Sequence, residues 1–200
     1  MKILIGTKNK GKIAKFANFL NDLGIEYITP YDIPEIVNIK IDETGTTTQE
    51  NAIIKAKAYY DICKIPVLCD DSSLIIDKFP ADKQPGVFVH RHDGKELTDS
   101  EILDLYSAEL EAIGGESPGA FIKTLCIIDE KGKIYCKDFR SERYFVSKRS
   151  NDIVENFPLR SLIYYKEYGK YMSEMSVQEA EKAEGNTTIN EKEFIKSVLC

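Results

Sequence analysis

The chain has no apolar run that approaches the ~20 residues required of a membrane-spanning helix. The apolar run in its N-terminal stretch, MKILIGTKNK, is also shorter than the hydrophobic region of a secretory signal peptide. These two absences exclude the usual routes into or across a membrane. We therefore expect a cytoplasmic protein that has no membrane partner.

Paired cysteine motifs are missing as well. The five cysteines are odd in number, are scattered along the chain and include no CxxC pair: Cys63, Cys69, Cys126, Cys136 and Cys200. This pattern argues against a disulfide framework and against a zinc site, and it indicates a reducing compartment.

The sequence also lacks the excess of positive charge that a nucleic-acid polymer would require, since its net charge is −6. The charge is uneven, however. Residues 1–15 contain no acidic residue and five lysines, namely Lys2, Lys8, Lys10, Lys12 and Lys15. A small basic pocket in an acidic protein suits a compact phosphorylated ligand better than a polymer.

No repeat, linker or low-complexity segment divides the chain, so we expect one domain over residues 1–200. The order of predicted elements indicates an α/β fold with a long central mixed sheet and flanking helices, in two lobes around a nucleotide-binding cleft. Capping boxes at Thr98 and Ser176 predict two helix starts. The predicted strands are Lys2–Ile5, Ile25–Ile28, the run after Pro66, a hairpin made of AFIKTLCIID and KIYCKDF, and a third strand RYFVS; residues 32–50 are expected to be irregular.

The first loop, GTKNKGKI, nearly matches the phosphate-binding pattern G-x₄-G-K-[S/T]. Glycines let the backbone approach a phosphate, and the start of a helix attracts an anion. Ile13 stands where that pattern needs a hydroxyl for Mg²⁺, which weakens the interpretation. An ordinary strand-to-helix turn with solvated lysines is the alternative.

Two adjacent aspartates, Asp70 and Asp71, end an apolar run in VLCDDSSLIID. Neighbouring carboxylates raise each other's pKa unless a cation or solvent compensates them. The pair is therefore either a solvated turn or part of a site for a hard divalent cation such as Mg²⁺.

Four segments follow one another along the chain, namely T-x-N-x-x-K from Thr7, ETGTTTQENAIIKA, PVLCDDSSL and PGVFVHR. Taken in this order, they resemble the inosine triphosphate pyrophosphatase family, whose members are non-canonical purine nucleoside triphosphate pyrophosphatases. The resemblance is strong over residues 1–91. It implies a Mg²⁺-dependent enzyme that cleaves a nucleoside triphosphate into a nucleoside monophosphate and pyrophosphate.

The resemblance also implies roles for individual residues. Glu43, Asp70 and Asp71 would hold Mg²⁺, and Asp71 would orient and deprotonate the attacking water, with Lys12 also catalytic. The implied substrate-binding residues are Thr7, Lys8, Asn9, Lys10, Gly11, Lys12, Lys55, Ser72, Arg91 and Phe157.

The C-terminal half departs from the family pattern. Phe157 matches the aromatic residue of the family pattern, but Arg160 stands near the position at which the family has an aspartate. Ile189–Lys192 replaces a family segment whose arginine recognises the purine keto group. Lys15 replaces an acidic residue. We therefore expect a base preference that is relaxed or shifted away from hypoxanthine and xanthine.

Two other functions stay open from the sequence. One is a nucleotide-binding or regulatory protein on the same scaffold that has lost turnover, and the other is a P-loop NTPase. The resemblance further implies a homodimer, to which Val87 and Phe88 could contribute apolar contacts.

Overall fold

The computed structural model describes residues 2–92 and 94–200, which form two compact units. The first unit comprises the chain up to Ser72 together with Lys123–Phe139 and Ile189–Cys200. The second unit comprises Ser73–Ile122 and Arg140–Thr188.

The architecture is mixed α/β, as predicted, with a five-stranded sheet flanked by helices. The strands are β1 (Lys2–Ile5), β2 (Glu26–Ile28), β3 (Val67–Ile76), β4 (Arg91–His92), β5 (Lys95–Glu96), β6 (Glu116–Ile128), β7 (Ile134–Val146), β8 (Tyr164–Tyr165) and β9 (Lys170–Tyr171). The central sheet has the order β2-β1-β3-β6-β7, and β1 runs parallel to β2 and to β3.

The α-helices are α1 (Lys10–Asp22), α2 (Pro34–Val37), α3 (Thr48–Cys63), α4 (Asp99–Ala112), α5 (Val177–Glu184) and α6 (Asn186–Leu199). Short 3₁₀ helices occupy Pro30–Asp32, Ala81–Lys83, Pro158–Ser161 and Met172–Glu174. The predicted capping boxes at Thr98 and Ser176 are confirmed, because each hydroxyl accepts a hydrogen bond from the backbone N–H three residues on.

Side chains of the first unit alternate between two faces of the sheet, as the pleat requires. One face packs α1 and α6 onto a core that includes Leu68 of β3 and Leu125 of β6. The other packs α3 onto a core that includes Cys69 of β3 and Cys126 of β6. We call these the α1 face and the α3 face.

The second unit has its own core, in which α4 packs on the later part of β3 and on residues around Phe145. Two small antiparallel pairs, β4–β5 and β8–β9, belong to this unit.

Two predictions about local structure were wrong. RYFVS is not a separate strand, because it is the end of β7. No glycine or proline interrupts the chain between KIYCKDF and RYFVS, so nothing ends the strand there. The stretch 32–50 is also not wholly irregular, because Pro34 begins the short helix α2.

Across residues 2–92 and 94–200, no helix has both the length and the apolar character needed to cross a bilayer. All five cysteines are free thiols, and Cys69 and Cys126 are buried in the core.

Candidate active site

The adjacent aspartates of β3 point to opposite faces of the sheet. Leu68 faces α1 and Cys69 faces α3, so alternation places Asp70 on the α1 face and Asp71 on the α3 face. Both side chains are buried, with overall residue exposures of 1% and 8%. The pair is therefore not a solvated turn.

On the α1 face, Asp70 pairs with a lysine from the first turn of α1. Lys12 Nζ lies 2.8 Å from Asp70 Oδ2. Burial opposes the charged form of Asp70, but the ammonium groups of Lys12, Lys123 and Lys55 outweigh it and lower the pKa of this carboxyl. Asp70 is thus held as a carboxylate.

On the α3 face, one lysine is shared by two carboxylates. Lys55 Nζ lies 3.1 Å from Glu43 Oε1 and 3.3 Å from Asp71 Oδ1, and it also donates to the Asp70 carbonyl oxygen at 3.1 Å. Although burial lowers the pKa of Lys55, the charges of Asp71 and Glu43 raise it overall. Lys55 is therefore a permanent cation in this site.

Asp71 has the opposite electrostatic surroundings to Asp70. Burial raises its pKa first and Glu43 raises it further, and together these outweigh Lys55 and Lys12, so that the pKa of Asp71 rises to about 6. A carboxyl with a pKa close to neutral suits a general base.

The loop that carries Glu43 is held by the start of α3. Gly45 donates its backbone N–H to Asn51 Oδ1 at 2.8 Å, and a Cβ at Gly45 would lie 2.6 Å from that same oxygen. Thr47 and Glu50 form a capping box at the start of the helix. The hydrogen bonds of the ETG…EN motif therefore hold the loop in a position that places Glu43 near Lys55.

The loop before α1 is shaped by its own polar side chains. Thr7 Oγ1 accepts from the backbone N–H of Asn9, and Asn9 Oδ1 caps the helix by accepting from Lys12 N at 3.0 Å. Lys8 Nζ donates to the Ile39 carbonyl oxygen at 2.6 Å, which places its ammonium group against the backbone of residue 39.

The remaining loop residues surround the start of that helix. Lys10 and Gly11 occupy the first turn of α1, both exposed, and this turn contains no acidic residue. Ile13 packs against the α1-face core. The residue at the position of the P-loop hydroxyl is therefore part of the hydrophobic core in this chain.

The expected set of three metal-binding carboxylates is not assembled. In the described parts of the chain, no group of three His, Cys, Asp or Glu side chains is placed to hold a metal ion. The reason is the pleat, which turns Asp70 to the face opposite Asp71. Glu43 and Asp71 remain together, and Asp71 Oδ2 is buried without a hydrogen-bond partner among the described residues. Two carboxylates with an unused buried oxygen fit a hard divalent cation.

Sequence reasoning did not identify a second ionic cluster on the α1 face. Glu191 of α6, with a side-chain exposure of 1%, lies between Lys15 of α1 at 2.8 Å and Lys123 of β6 at 3.0 Å. The detectable signal was a lysine inside the apolar run AFIKTLCIID. Lys192, the neighbour of Glu191, pairs instead with Asp22 at 2.6 Å on an exposed surface.

The other predicted substrate-binding residues are Ser72, Arg91 and Phe157. Ser72 is the half-buried last residue of the first segment of the first unit. Arg91 belongs to the second unit and lines a pocket of about 600 Å³ with Phe88. Phe157 also belongs to that unit, and the guanidinium of Arg160 lies 4.9 Å from the centre of its ring.

The chain is similar to known proteins over most of its length. A model described as the Ham1 family matches residues 3–186. A dITP/XTP pyrophosphatase of Halalkalibacterium halodurans is 32% identical over 180 residues, 90% of each chain, and one of Oceanobacillus iheyensis is 31% identical over 176 residues, 87% of this chain and 86% of that one.

Solved structures agree with these matches. A HAM1 protein from Coxiella burnetii has a TM-score of 0.78 and 25% identity, covering 98% of this chain and 99% of that one. The Staphylococcus aureus Ham1 protein has the same TM-score at 20% identity and the same coverage, which supports the fold alone. Together, these matches confirm the family resemblance of the four sequence segments.

Proposed function

The chain belongs to the Ham1 family and is a pyrophosphohydrolase, and we propose that it cleaves a nucleoside triphosphate into a nucleoside monophosphate and pyrophosphate. The observation that carries this proposal is the different ion pairing on the two faces of β3. The α3 face brings two carboxylates to one lysine, which favours a cation. The α1 face presents Lys12 at a helix start, which favours an anion.

Glu43 and Asp71 are the residues that would hold Mg²⁺. Magnesium in proteins is commonly bound by one or two carboxylates together with substrate phosphate oxygens, so a third carboxylate is not required. When bound, the ion would neutralise phosphate charge and acidify a water molecule. Lys55 already holds the same two carboxylates in place at 3.1 and 3.3 Å.

Asp71 is the proposed general base. Its Oδ1 faces Lys55, while its buried Oδ2 has no hydrogen-bond partner among the described residues and is available to accept a proton from water. Burial and Glu43 raise the pKa of Asp71 to about 6. The carboxylate is therefore mostly ionised at neutral pH and is a stronger base than an ordinary aspartate.

Lys12 and the start of α1 are the proposed phosphate-binding groups. The backbone N–H groups of the first turn lack helical partners, and the helix dipole favours an anion there. Lys12 is in an ion pair with Asp70, but its side chain is 29% exposed and an ammonium group has three donors, so it can contact a phosphate while that pair is kept. Most of phosphoryl-transfer catalysis consists of such positioning and charge compensation.

We propose that the base preference is relaxed or shifted away from hypoxanthine and xanthine. These are the bases of dITP and XTP, the nucleotides in the names of the relatives. Arg160 covers the ring of Phe157, and Lys192 is engaged by Asp22. Neither arrangement supplies the dedicated keto-binding group that gives strong discrimination between bases.

The assembly and location are also proposals. Phe88 is 48% exposed, a large apolar side chain that a homodimer contact through Val87 and Phe88 would cover. A monomer mass in light scattering at micromolar concentration would overturn this. The free thiols support a reducing cytoplasm.

The deciding experiment measures pyrophosphate release from a panel of inosine, xanthosine, guanosine, adenosine and pyrimidine triphosphates, with Mg²⁺ and with a chelator. We expect Mg²⁺-dependent release and kcat/KM values for inosine triphosphate and ATP within ~10²-fold. Release of orthophosphate would indicate a different NTPase, and binding without turnover would indicate a regulatory protein. A preference of more than ~10²-fold for inosine triphosphate would overturn the proposed specificity.

A further inference from the structure

The α1 face contains a buried ionic cluster that the proposed mechanism leaves unused. Glu191 is buried, and its two carboxylate oxygens face Lys15 at 2.8 Å and Lys123 at 3.0 Å. A single lysine would neutralise this glutamate. The second lysine is therefore not needed to compensate Glu191, and its position inside a strand calls for another explanation.

Lys123 shares a face with Asp70. The β6 residues Leu125 and Ile127 pack in the same core as Leu68 of β3, so alternation places Lys123 on the face to which Asp70 points. β3 and β6 are neighbours in the sheet.

Among the described residues, the ion pairs of Asp70 and Glu191 on this face contain more ammonium groups than carboxylates. They join three ammonium groups, those of Lys12, Lys15 and Lys123, to the carboxylates of Asp70 and Glu191. The side chain of Lys123 is 25% exposed, so its ammonium group keeps access to solvent after donating to Glu191. A partly desolvated, anchored ammonium group attracts an anion strongly.

We propose that Lys123 binds a phosphate group of the nucleotide, and that the buried carboxylate of Glu191 positions it. This inference rests on the proposed function. Lys123 then joins Lys12 as a second phosphate-binding lysine of the α1 face, while Lys55 stays with the two carboxylates of the α3 face. Glu191 does not touch the substrate and acts only through Lys123.

The test uses Lys123→Met, which keeps the length of the side chain and removes its charge, and Lys123→Arg, which keeps the charge. Lys137→Met is the matched control, because Lys137 is an exposed lysine of the neighbouring strand β7. Calorimetry measures the Kd of inorganic pyrophosphate in magnesium buffer, and kinetics measures KM and kcat for the best nucleotide.

We expect Lys123→Met to raise the Kd of pyrophosphate and the KM by ~10-fold, as the loss of one charge-assisted hydrogen bond predicts. Lys123→Arg should recover most of the binding, and Lys137→Met should bind as the wild type does. Equal affinity in Lys123→Met and Lys137→Met would overturn the inference and leave Lys123 only a structural role.

Glu191→Gln tests the positioning role, with circular dichroism to show that the variant is folded. If it unfolds, Glu191→Asp keeps the charge but shortens the reach to the two lysines. We expect a higher Kd for pyrophosphate in the folded variant, and a folded variant with wild-type affinity would overturn the role of Glu191.

Failure of the proposed function is separable from failure of this inference. Absence of nucleotide turnover by the wild type would reject the former, while the pyrophosphate comparison would still decide the role of Lys123. Turnover by a wild type that binds no pyrophosphate would reject the latter alone.

Discussion

The two aspartates of one dipeptide lie on different faces of β3, Asp70 on the α1 face and Asp71 on the α3 face. Their pKa values shift in opposite directions. Asp70 faces an excess of ammonium groups, and its pKa is lowered. Asp71 shares one lysine with Glu43, and its pKa rises to about 6. Neighbouring residues with the same side chain therefore support different chemistry, because the pleat sends them into different charge environments.

The largest expected effect is a loss of hydrolysis when the aspartate of the α3 face is changed. Asp71→Asn keeps the shape of the side chain but removes the base and an anionic ligand, so we expect hydrolysis to fall by ~10²–10⁴-fold or more. Asp61→Asn, an exposed aspartate of α3, is the control for the chemical change. A wild-type rate in a folded Asp71→Asn variant would remove Asp71 from the mechanism.

The next effect concerns the shared lysine. Lys55→Met leaves Glu43 and Asp71 without their cation, so we expect the metal-free protein to lose ~2–4 kcal/mol in urea unfolding. Because Mg²⁺ would compensate the same two carboxylates, it should stabilise this variant more than it stabilises the wild type.

Lys57→Met, an exposed lysine of the same helix, should behave as the wild type in both buffers. If Mg²⁺ stabilised Lys55→Met no more than the wild type, Glu43 and Asp71 would not be its ligands.

Opposite effects on stability are expected from the two aspartates in chelator. The folded-state pKa of Asp71 is about 6, above the ordinary 3.8, so its stabilising contribution is present below 3.8 and is lost as the pH rises to 6. Asp71→Asn should therefore stabilise the metal-free protein near pH 8 by ~1–3 kcal/mol, and this gain should vanish near pH 4.

The pKa of Asp70 is lowered, so its contribution is present above 3.8 and is lost as the pH falls. Asp70→Asn should consequently destabilise the metal-free protein near pH 8. Thermal unfolding of both variants against the wild type provides the measurement. Shifts of the same sign would show that the two faces do not differ in charge as described.

The smallest effect concerns the resemblance of the first loop to a P-loop. Ile13→Thr restores the hydroxyl of that pattern, yet Ile13 packs against the α1-face core. We expect a loss of ~1 kcal/mol and no gain in kcat. Ile13→Val controls for the lost volume, and a higher kcat in Ile13→Thr alone would favour the P-loop interpretation.

Much of the fold followed from local signals. The hydroxyls of Thr98 and Ser176 start helices because capping is decided within four residues. The extension of β7 through residues 140–146 was missed because a strand ends at a turn residue or through lost pairing, and pairing is not a local property.

The candidate site was predictable in its residue types and only partly in its geometry. Glu43, Lys55 and Asp71 lie together on the α3 face, where the start of α3 holds the loop that carries Glu43. Lys12 pairs instead with Asp70 on the α1 face. Asp70 was assigned to the same cation as Asp71, although alternation along the strand places it on the other face.

The sequence by itself determined the order of elements, the helix caps and the identities of the charged groups, because these depend on residues close together in the chain. Only the tertiary structure decided which lysine meets which carboxylate. The link between Lys123 and Glu191 spans 68 residues, and a contact of that kind exists only after β6 and α6 have packed on the same face. Pairing at that distance is set by the three-dimensional arrangement of the sheet and its helices, which no local pattern of residue types encodes.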